Sequence, residues 1–262
     1  MPIFKTITET GFQEKSIRSI TNPDWLQIND GMEGSLTFNR ILIADRQLIG
    51  TGVFAGKHSK PVNLMGLQIK ASYQEIGIGI VMVVDLNSDQ TPKNIVVHYP
   101  QSALLAQLRM QPNANVMIRK PIEKKPKQLE NKENDQLESL VRQFYTSFAK
   151  NDTILKKKIT AADLVALTHA TGNPAKGVAS HQAFAAQFYS SFEVKEVNLQ
   201  QINTFQNIAF VQGHMKLLVK KPMPPALEEG SLLTLSLNDI IAAEDHLIVL
   251  TEFMHNPVMG GK

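Results

Sequence analysis

The sequence of 262 residues contains no cysteine. Disulfide bonds, thiolate nucleophiles and cysteine zinc sites are therefore excluded. Long apolar runs are missing too, because no stretch approaches the ~18 residues of a membrane-spanning helix. The N-terminal segment carries Lys5 and Glu9 where a signal peptide needs an apolar core. We therefore expect a soluble cytoplasmic protein with no membrane partner, and the lack of cysteine leaves export by another route open.

A strong excess of one charge is also missing. The formal net charge of +3 is spread along the chain, so no nucleic-acid partner is expected. The histidines show no spacing typical of a metal site. His169 and His181 flank a glycine-proline loop and Asp163 lies upstream, but no His-x-x-x-His pattern joins them. We therefore expect no metal and no cofactor.

Glycine-rich motifs are absent in the form that binds phosphate. Gly77 and Gly79 are separated by one residue, but the strand-like run Val81–Val84 follows them. A nucleotide-phosphate site needs a helix N-terminus directly behind its glycines. The two glycines therefore indicate a buried strand that another backbone segment approaches closely.

The length of the chain allows two domains of ordinary size, each with its own core. A charged segment rich in lysine and proline, residues 123–135, lies between them. Such a segment has too little apolar area to order itself, so it predicts a linker. The alternative is a basic patch for nucleic acid or anionic lipid, but interleaved acidic residues dilute its field. We predict a β-rich domain at 1–122 and an α+β domain at 136–262.

The first domain is predicted to be a small β-barrel or sandwich with one helix. Its strands are predicted from branched apolar runs between turn signals. They lie at Leu36–Ile49, Val62–Tyr73, Ile76–Leu86, Asn94–Tyr99 and Asn115–Arg119. A turn is predicted at Gly50–Gly52 and a helix at Ser102–Met110. Trp25 is expected to anchor the N-terminal segment onto the sheet.

Two similar hexapeptides, Gln143–Phe148 and Gln187–Phe192, mark the second domain. Each closes a pattern of apolar residues at three-four spacing, which predicts an amphipathic helix. Thr160 begins a capping-box pattern that predicts a short helix through Leu167, and Ser180 is expected to cap the helix of the second hexapeptide. The strands predicted beyond it lie at roughly Val194–Thr204, Ile208–Lys220, Ser231–Ala243 and Leu247–His255, with a hairpin turn at Glu244–His246.

This order of elements resembles the nuclear transport factor two-like superfamily, which includes SnoaL-like polyketide cyclases and ketosteroid isomerases. Three motifs carry the resemblance: Val141–Asp152 as a first helix with its closing Asn-Asp, Gly177 before an aromatic helix, and Asp239–Val249 as a closing hairpin. The resemblance implies a cone-shaped α+β domain with three helices on a curved antiparallel sheet. It also implies a conical apolar cavity and a homodimer formed through the open sheet face.

The implied cavity would suit a small apolar ligand. The residues expected to line it are Phe144, Phe148, Phe184 and Phe188. The tyrosine that isomerases carry on the first helix falls on Phe144, whereas Tyr145 would point about 100° away. The position of the isomerase base is occupied by Asn173, which cannot take a proton.

Three ionisable residues remain as weak catalytic candidates: Tyr145, His214 and Glu252. They would form an acid/base set if all three faced the cavity, although strand alternation leaves His214 facing either the cavity or solvent. Lys156–Lys158 is expected to be a solvated connection after the first helix, with anion attraction as the alternative.

These departures favour a non-catalytic protein that binds a small apolar ligand or serves as a platform for protein interaction. One alternative is a cofactor-free isomerase, cyclase or dehydratase that uses acid/base residues in the cone. Another is an adaptor of a secreted or host-interacting assembly. Two or more inward-facing ionisable side chains within hydrogen-bond reach would favour the enzyme. An apolar lining would favour binding, and a filled cavity would favour a scaffold.

Overall fold

The computed structural model describes residues 2–10, 12–13, 15–64, 67–110, 116–168, 174–222 and 228–257. It divides into two compact units, of which unit 1 ends at Asn131 and unit 2 begins at Lys132. That these units are the independent domains predicted at 1–122 and 136–262 stays a prediction. Within these ranges, no helix is both long and apolar enough to cross a membrane.

Unit 1 combines helices with a five-stranded sheet. Its helices are α1 (Pro2–Thr10), α2 (Lys15–Ser19), α3 (Pro23–Asp30) and α4 (Gln101–Gln107). Its strands are β1 (Met32–Ile43), β2 (Gln47–His58), β3 (Val62–Leu64), β4 (Leu67–Ile69), β5 (Glu75–Leu86), β6 (Pro92–His98) and β7 (Lys127–Glu130). The sheet order is β6-β5-β2-β1-β7, and β3 pairs with β4 alone. The expected barrel or sandwich is not confirmed, because β6 and β7 lie at opposite ends of this sheet and do not pair with each other.

The core of unit 1 forms where the helices cover the sheet. Strand β5 is buried along nearly its whole length, so it needs apolar neighbours on both faces. Helices α1 and α3 pack against β1, and α4 packs against β5. Trp25 of α3 is 0% exposed and lies edge-on to Phe54 of β2, with ring centroids 5.2 Å apart. The predicted anchoring role of Trp25 is therefore confirmed.

The turn predicted at Gly50–Gly52 is wrong, because these residues lie in the middle of β2. The actual turn precedes Gln47, and Gly50 pairs with Ile41 of β1. A Cβ atom at Gly50 would lie 2.4 Å from the Phe4 ring, and one at Gly52 would lie 2.0 Å from the carbonyl oxygen of Thr37. The glycines therefore make room for a ring and a neighbouring strand, as glycine inside a strand often does.

The close backbone approach predicted at Gly77 is confirmed. Arg119 N donates to the carbonyl of Gly77 at 2.9 Å, and a Cβ atom at Gly77 would lie 1.9 Å from Arg119 O. The Gln107 side chain bonds both the N–H and the carbonyl of Gly77, at 2.8 and 2.9 Å. Residues 116–119 form no strand, so the last strand predicted there is wrong over its described part.

Part of the predicted linker is ordered as strand β7. It pairs in parallel with Arg40–Ile43 of β1, and its one apolar side chain, Leu129, is 3% exposed. The expectation that this segment cannot order itself was therefore wrong for residues 127–130. One buried leucine and a ladder of backbone hydrogen bonds stabilise a strand whose other side chains stay in solvent.

Unit 2 is a mixed α/β fold. Its helices are α5 (Asp135–Ala149), α6 (Thr153–Ile159) and α7 (Gly177–Ser191). Its strands are β8 (Thr160–Thr168), β9 (Pro174–Lys176), β10 (Phe192–Phe205), β11 (Ile208–Val219), β12 (Leu232–Glu244), β13 (Leu247–Phe253) and β14 (His255–Pro257). The sheet order is β10-β11-β12-β13-β8-β9, with β14 also paired to β12. It is not wholly antiparallel, since β13 and β8 run in parallel.

The short helix lies earlier than the sequence predicted. Asp152 caps α6, because its Oδ1 accepts hydrogen bonds from Ile154 N and Leu155 N at 3.1 and 2.9 Å. The predicted helix at Thr160–Leu167 is instead strand β8, where the backbone pairs with β13 and β9. Ser180 likewise lies inside α7 and does not cap it. Sheet pairing overrides the local capping signal in this segment.

The two hexapeptides pack on each other at the ends of α5 and α7. The ring centroids of Phe148 and Phe188 are 5.1 Å apart, and those of Phe188 and Phe192 are 5.3 Å apart. Tyr189 Oη also donates a hydrogen bond to the carbonyl of Phe148. The aromatic residues of the two hexapeptides therefore form one contact between α5 and α7.

We expect Gly77→Ala to lower the free energy of unfolding by about 1–3 kcal/mol, because the new methyl group must displace the Arg119 backbone. Urea unfolding followed by circular dichroism measures this change. Ser102→Ala, at an exposed position of α4, is the control and should stay within about 0.5 kcal/mol of the parent. Equal stability of the two variants would contradict the close contact at Arg119.

Candidate functional site

The four phenylalanines expected to line a pocket surround one small cavity in unit 2, here called the chamber. Phe144 and Phe148 come from α5, and Phe184 and Phe188 come from α7. The remaining lining residues are Tyr145, Thr168, Met215, Phe253 and His255. The volume of the chamber is about 40 Å³, which is enough for water but not for a drug-sized molecule. A ligand-binding role for the four rings stays a prediction.

Helix and strand periodicity bring these residues together. On α5, Phe144 and Phe148 are one turn apart, so both point to the same side. Met215 and Phe253 face them from β11 and β13, and the Phe253 ring is stacked on Phe144 with centroids 6.2 Å apart. Most of the chamber wall is therefore aromatic and belongs to the core of unit 2.

Two polar residues that line the chamber, Tyr145 and His255, both contact the carboxylate of Asp239 in β12, which lies behind them and is 0% exposed. Its Oδ2 accepts a hydrogen bond from Tyr145 Oη at 2.5 Å and lies 2.9 Å from His255 Nε2. Its Oδ1 accepts a hydrogen bond from Met254 N at 3.0 Å. Three donors from α5, β14 and the link before β14 thus satisfy one buried acid.

The chemistry of this group follows from burial and charge. Burial raises the pKa of Tyr145 well above its usual value, and the negative charge and hydrogen bond of Asp239 raise it further. Tyr145 therefore keeps its proton and donates a hydrogen bond to Asp239. A carboxylate oxygen accepts hydrogen bonds, so His255 Nε2 is the donor in its contact with Asp239 Oδ2. In the tautomer with the proton on Nε2, the lone pair of the ring lies on Nδ1.

Only one of the three candidate catalytic residues lies at the chamber. Tyr145 lines the chamber. His214 lies on the face of β11 opposite to that of its neighbour Met215, and the Nε2 atom of His214 lies 3.6 Å from Glu196 Oε1. Glu252 is likewise next to Phe253 and therefore on the other face of β13. The structure does not bring Tyr145, His214 and Glu252 together.

The acid/base residues that the sequence reasoning missed are Asp239 and His255. Asp239 follows Leu233, Leu235 and Leu237 at every second position of β12, and these leucines belong to the core. The alternation of apolar residues along β12 therefore predicts that Asp239 lies on the inward face, and Asp239 could have been identified from the sequence in this way. His255 had no such signal, because it reaches Asp239 only through the pairing of β14 with β12.

Metal binding has no support in the described ranges, where no three histidine, aspartate or glutamate side chains form a group that could hold an ion. His169 and Asn173 lie outside the described residues. His181 lies on α7 and is 4% exposed, while Asp163 is exposed on β8. The expectation of no metal and no cofactor stays a prediction.

No family model matches the sequence, and no curated protein matches it. Solved structures do resemble about half of the chain. IdmH from Streptomyces antibioticus, described as a proposed polyketide cyclase, is 13% identical with a TM-score of 0.42, over 46% of this chain and 92% of that one. An NTF2-like protein of unknown function from Burkholderia pseudomallei is 16% identical with a TM-score of 0.40, over 46% and 91%.

A third similar structure, from Catenulispora acidiphila, has a ketosteroid isomerase-like fold and contains trimethylamine. It is 12% identical with a TM-score of 0.38, over 44% of this chain and 82% of that one. The predicted resemblance is thus confirmed, since the similar structures are SnoaL-like and NTF2-like and cover about 46% of the chain. Similarity of this size says nothing about the chemistry of the chain.

We expect Tyr145→Phe to lower the free energy of unfolding by about 1–3 kcal/mol, because it removes a donor from a buried carboxylate. Tyr189→Phe is the matched control from the second hexapeptide, and it removes only a bond to a neutral carbonyl, worth about 0.5–1.5 kcal/mol. Urea unfolding measures both changes.

The same substitution in an Asp239→Asn background completes a double-mutant cycle. The loss in the free energy of unfolding caused by Tyr145→Phe should be smaller in this background, because Tyr145 no longer donates its hydrogen bond to a carboxylate. An unchanged cost would mean that Tyr145 and Asp239 do not interact as the geometry indicates.

Proposed function

We propose that unit 2 binds a small, largely apolar molecule in the chamber, with Tyr145, Asp239 and His255 as its polar end. The observation that carries this proposal is a fully buried, fully hydrogen-bonded acid beside an aromatic cavity. Burying a carboxylate is costly, and an apolar residue would fill a purely structural core at lower cost. Ligand sites commonly combine apolar walls with a few placed polar groups.

The chamber must widen to accept such a molecule, because its present volume is about 40 Å³. Helix α7 is the part of the wall that can move at the lowest cost in free energy. Phe184 and Phe188 are only partly buried, whereas Phe144 is 1% exposed in the core. Rotation of the two α7 rings toward solvent would open the chamber without disturbing the sheet. The proposed ligand therefore enters past α7.

Binding of the neutral fluorescent probe N-phenyl-1-naphthylamine tests this proposal. We expect Phe184→Ala to strengthen binding of the probe at least several-fold, because the variant opens the chamber in advance. Gln187→Ala, an exposed change on the same helix, is the control and should match the parent. Emission titrations measure the dissociation constants.

A probe signal that is absent in the parent and in Phe184→Ala would overturn the chamber as a ligand site. Equal affinities in Phe184→Ala and Gln187→Ala would do the same, since probe bound elsewhere would not respond to the missing ring.

A second candidate function is cofactor-free proton transfer by His255. The contact between this histidine and a buried acid favours this function. Asp239 bonds the ring of His255 through Nε2, and His255 is one of the residues that line the chamber. An oriented histidine in a site poor in water can act as a general base, and such a group contributes about 10²–10⁴-fold to a rate. This chemistry fits an isomerase, cyclase or dehydratase.

Base-catalysed ring opening of 5-nitrobenzisoxazole, a small aromatic proton donor, tests that second candidate. We expect a rate above the buffer background in Phe184→Ala, and a loss of at least about tenfold when His255→Gln is added. His214→Gln, on the opposite sheet face, is the control and should leave the rate unchanged. A rate that persists without His255, or no rate above background, would remove this candidate.

Binding without catalysis is the leading proposal because the walls of the chamber are mostly apolar. The homodimer implied by the resemblance and the adaptor role stay predictions. The outward face of the sheet carries an ion pair between Lys216 Nζ and Glu196 Oε2 at 2.6 Å, and Leu232 is 69% exposed on the same face.

A further inference from the structure

Unit 2 contains a second pocket, here called the α6–α7 pocket, which lies between α6, β8 and α7. Its volume is about 240 Å³, so it holds several waters or a small organic molecule. The apolar part of its wall includes Leu164, Val178 and Ala185, and its polar part includes Lys156 and His181. Within the described part of the chain, the two pockets have no lining residue in common.

Lys156 is a buried cation whose ammonium has no carboxylate partner among the described residues. It is 7% exposed, although the sequence predicted a solvated lysine run. Its Nζ lies 5.2 Å from the centre of the Phe148 ring and 5.9 Å from that of Tyr189. Two ring faces stabilise a cation only in part, and burial lowers the pKa of Lys156. Lysine is seldom so buried unless something pairs with it.

His181 adds a second unsatisfied polar group to the same pocket. It is 4% exposed, and neither Nδ1 nor Nε2 has a hydrogen-bond partner in the described structure. Burial, and then the charge of Lys156, lower the pKa of His181 to about 4. The ring is therefore neutral at pH 7 and offers one N–H donor. Leaving such a buried donor unpaired costs free energy, so a bound acceptor would be stabilising.

The electrostatics of the pocket select an anion of single charge. Lys156 supplies one buried positive charge and His181 supplies a neutral donor, while the exposed Lys157 lies at the rim and attracts anions. Among the residues that the structure describes, no aspartate or glutamate lines the pocket. A doubly charged phosphate would leave one charge uncompensated in a largely apolar site. A carboxylate matches both the charge and the two donors.

We propose that the α6–α7 pocket binds a small monocarboxylate with an apolar body, whose carboxylate accepts hydrogen bonds from Lys156 Nζ and a ring N–H of His181. The alkyl or aryl body lies against Leu164, Val178 and Ala185. This site is independent of the chamber, so its failure would leave the chamber proposal untouched.

Calorimetric titration with butanoate, butanamide and methyl phosphate tests the proposal on the whole protein. We expect saturable binding of butanoate, at least tenfold weaker binding of butanamide, and weaker binding of methyl phosphate than of butanoate. Butanamide has the same shape without the charge, and methyl phosphate carries a second charge. Comparable binding of butanamide would show an apolar pocket only, and tighter binding of methyl phosphate would overturn the carboxylate assignment.

Two variants locate the site. Lys156→Met keeps the length and apolar stem of the side chain, and we expect it to weaken butanoate binding at least tenfold. Lys158→Met, an exposed lysine two positions further on that does not line the pocket, should change the dissociation constant by less than about threefold. Unchanged binding in Lys156→Met, or no binding of butanoate at millimolar concentration in the parent, would overturn the proposal.

The thermal midpoint separates a binding role of Lys156 from a structural one. Without ligand, Lys156→Met should unfold at a higher temperature than the parent, because replacing a buried unpaired charge by an apolar group is stabilising. Butanoate should raise the midpoint of the parent and leave that of the variant unchanged. A variant that unfolds earlier than the parent would assign Lys156 a structural role and overturn the proposal.

Discussion

The carboxylate of Asp239 is 0% exposed and accepts hydrogen bonds from Tyr145 and Met254, with His255 Nε2 at 2.9 Å. These partners belong to α5, to β14 and to the link before it, so a single acid joins the first helix of unit 2 to two parts of its sheet. A buried charge tolerates few arrangements, because each unsatisfied acceptor costs free energy. The packing of α5 on the sheet is therefore set at this point, and the aromatic chamber forms beside it.

Unit 2 has two polar sites with opposite electrostatics. In the chamber a buried acid is matched by its own protein donors, so the ligand proposed there needs no charge. In the α6–α7 pocket a buried lysine and a neutral histidine have no acceptor from the described chain, so the ligand proposed there must supply one. Phe148 belongs to both environments, since its ring lines the chamber and lies 5.2 Å from Lys156 Nζ.

Local patterns in the sequence predicted most regular elements well, and their failures have a common cause. The helix ending at Phe148, the strand at β5 and the hairpin before Leu247 follow from apolar period and turn chemistry. The turn at Gly50–Gly52 and the helix at Thr160 were wrong because neighbouring strands decided the backbone there. Strand β7 was missed because its pairing with β1 is a long-range contact with almost no local signal.

The sequence by itself determined which residues share a face of a helix or strand, since that depends only on the period of each element. It thereby grouped Phe144 with Phe148 and separated His214 from Met215. Only the tertiary structure decided which face points inward and which distant segments meet there. The tertiary structure placed Tyr145 against Asp239 and brought His255 beside them through the pairing of β14 with β12. It also buried Lys156 in the α6–α7 pocket. The reason is physical: a period is a local property, whereas burial and charge pairing depend on what the rest of the chain brings near.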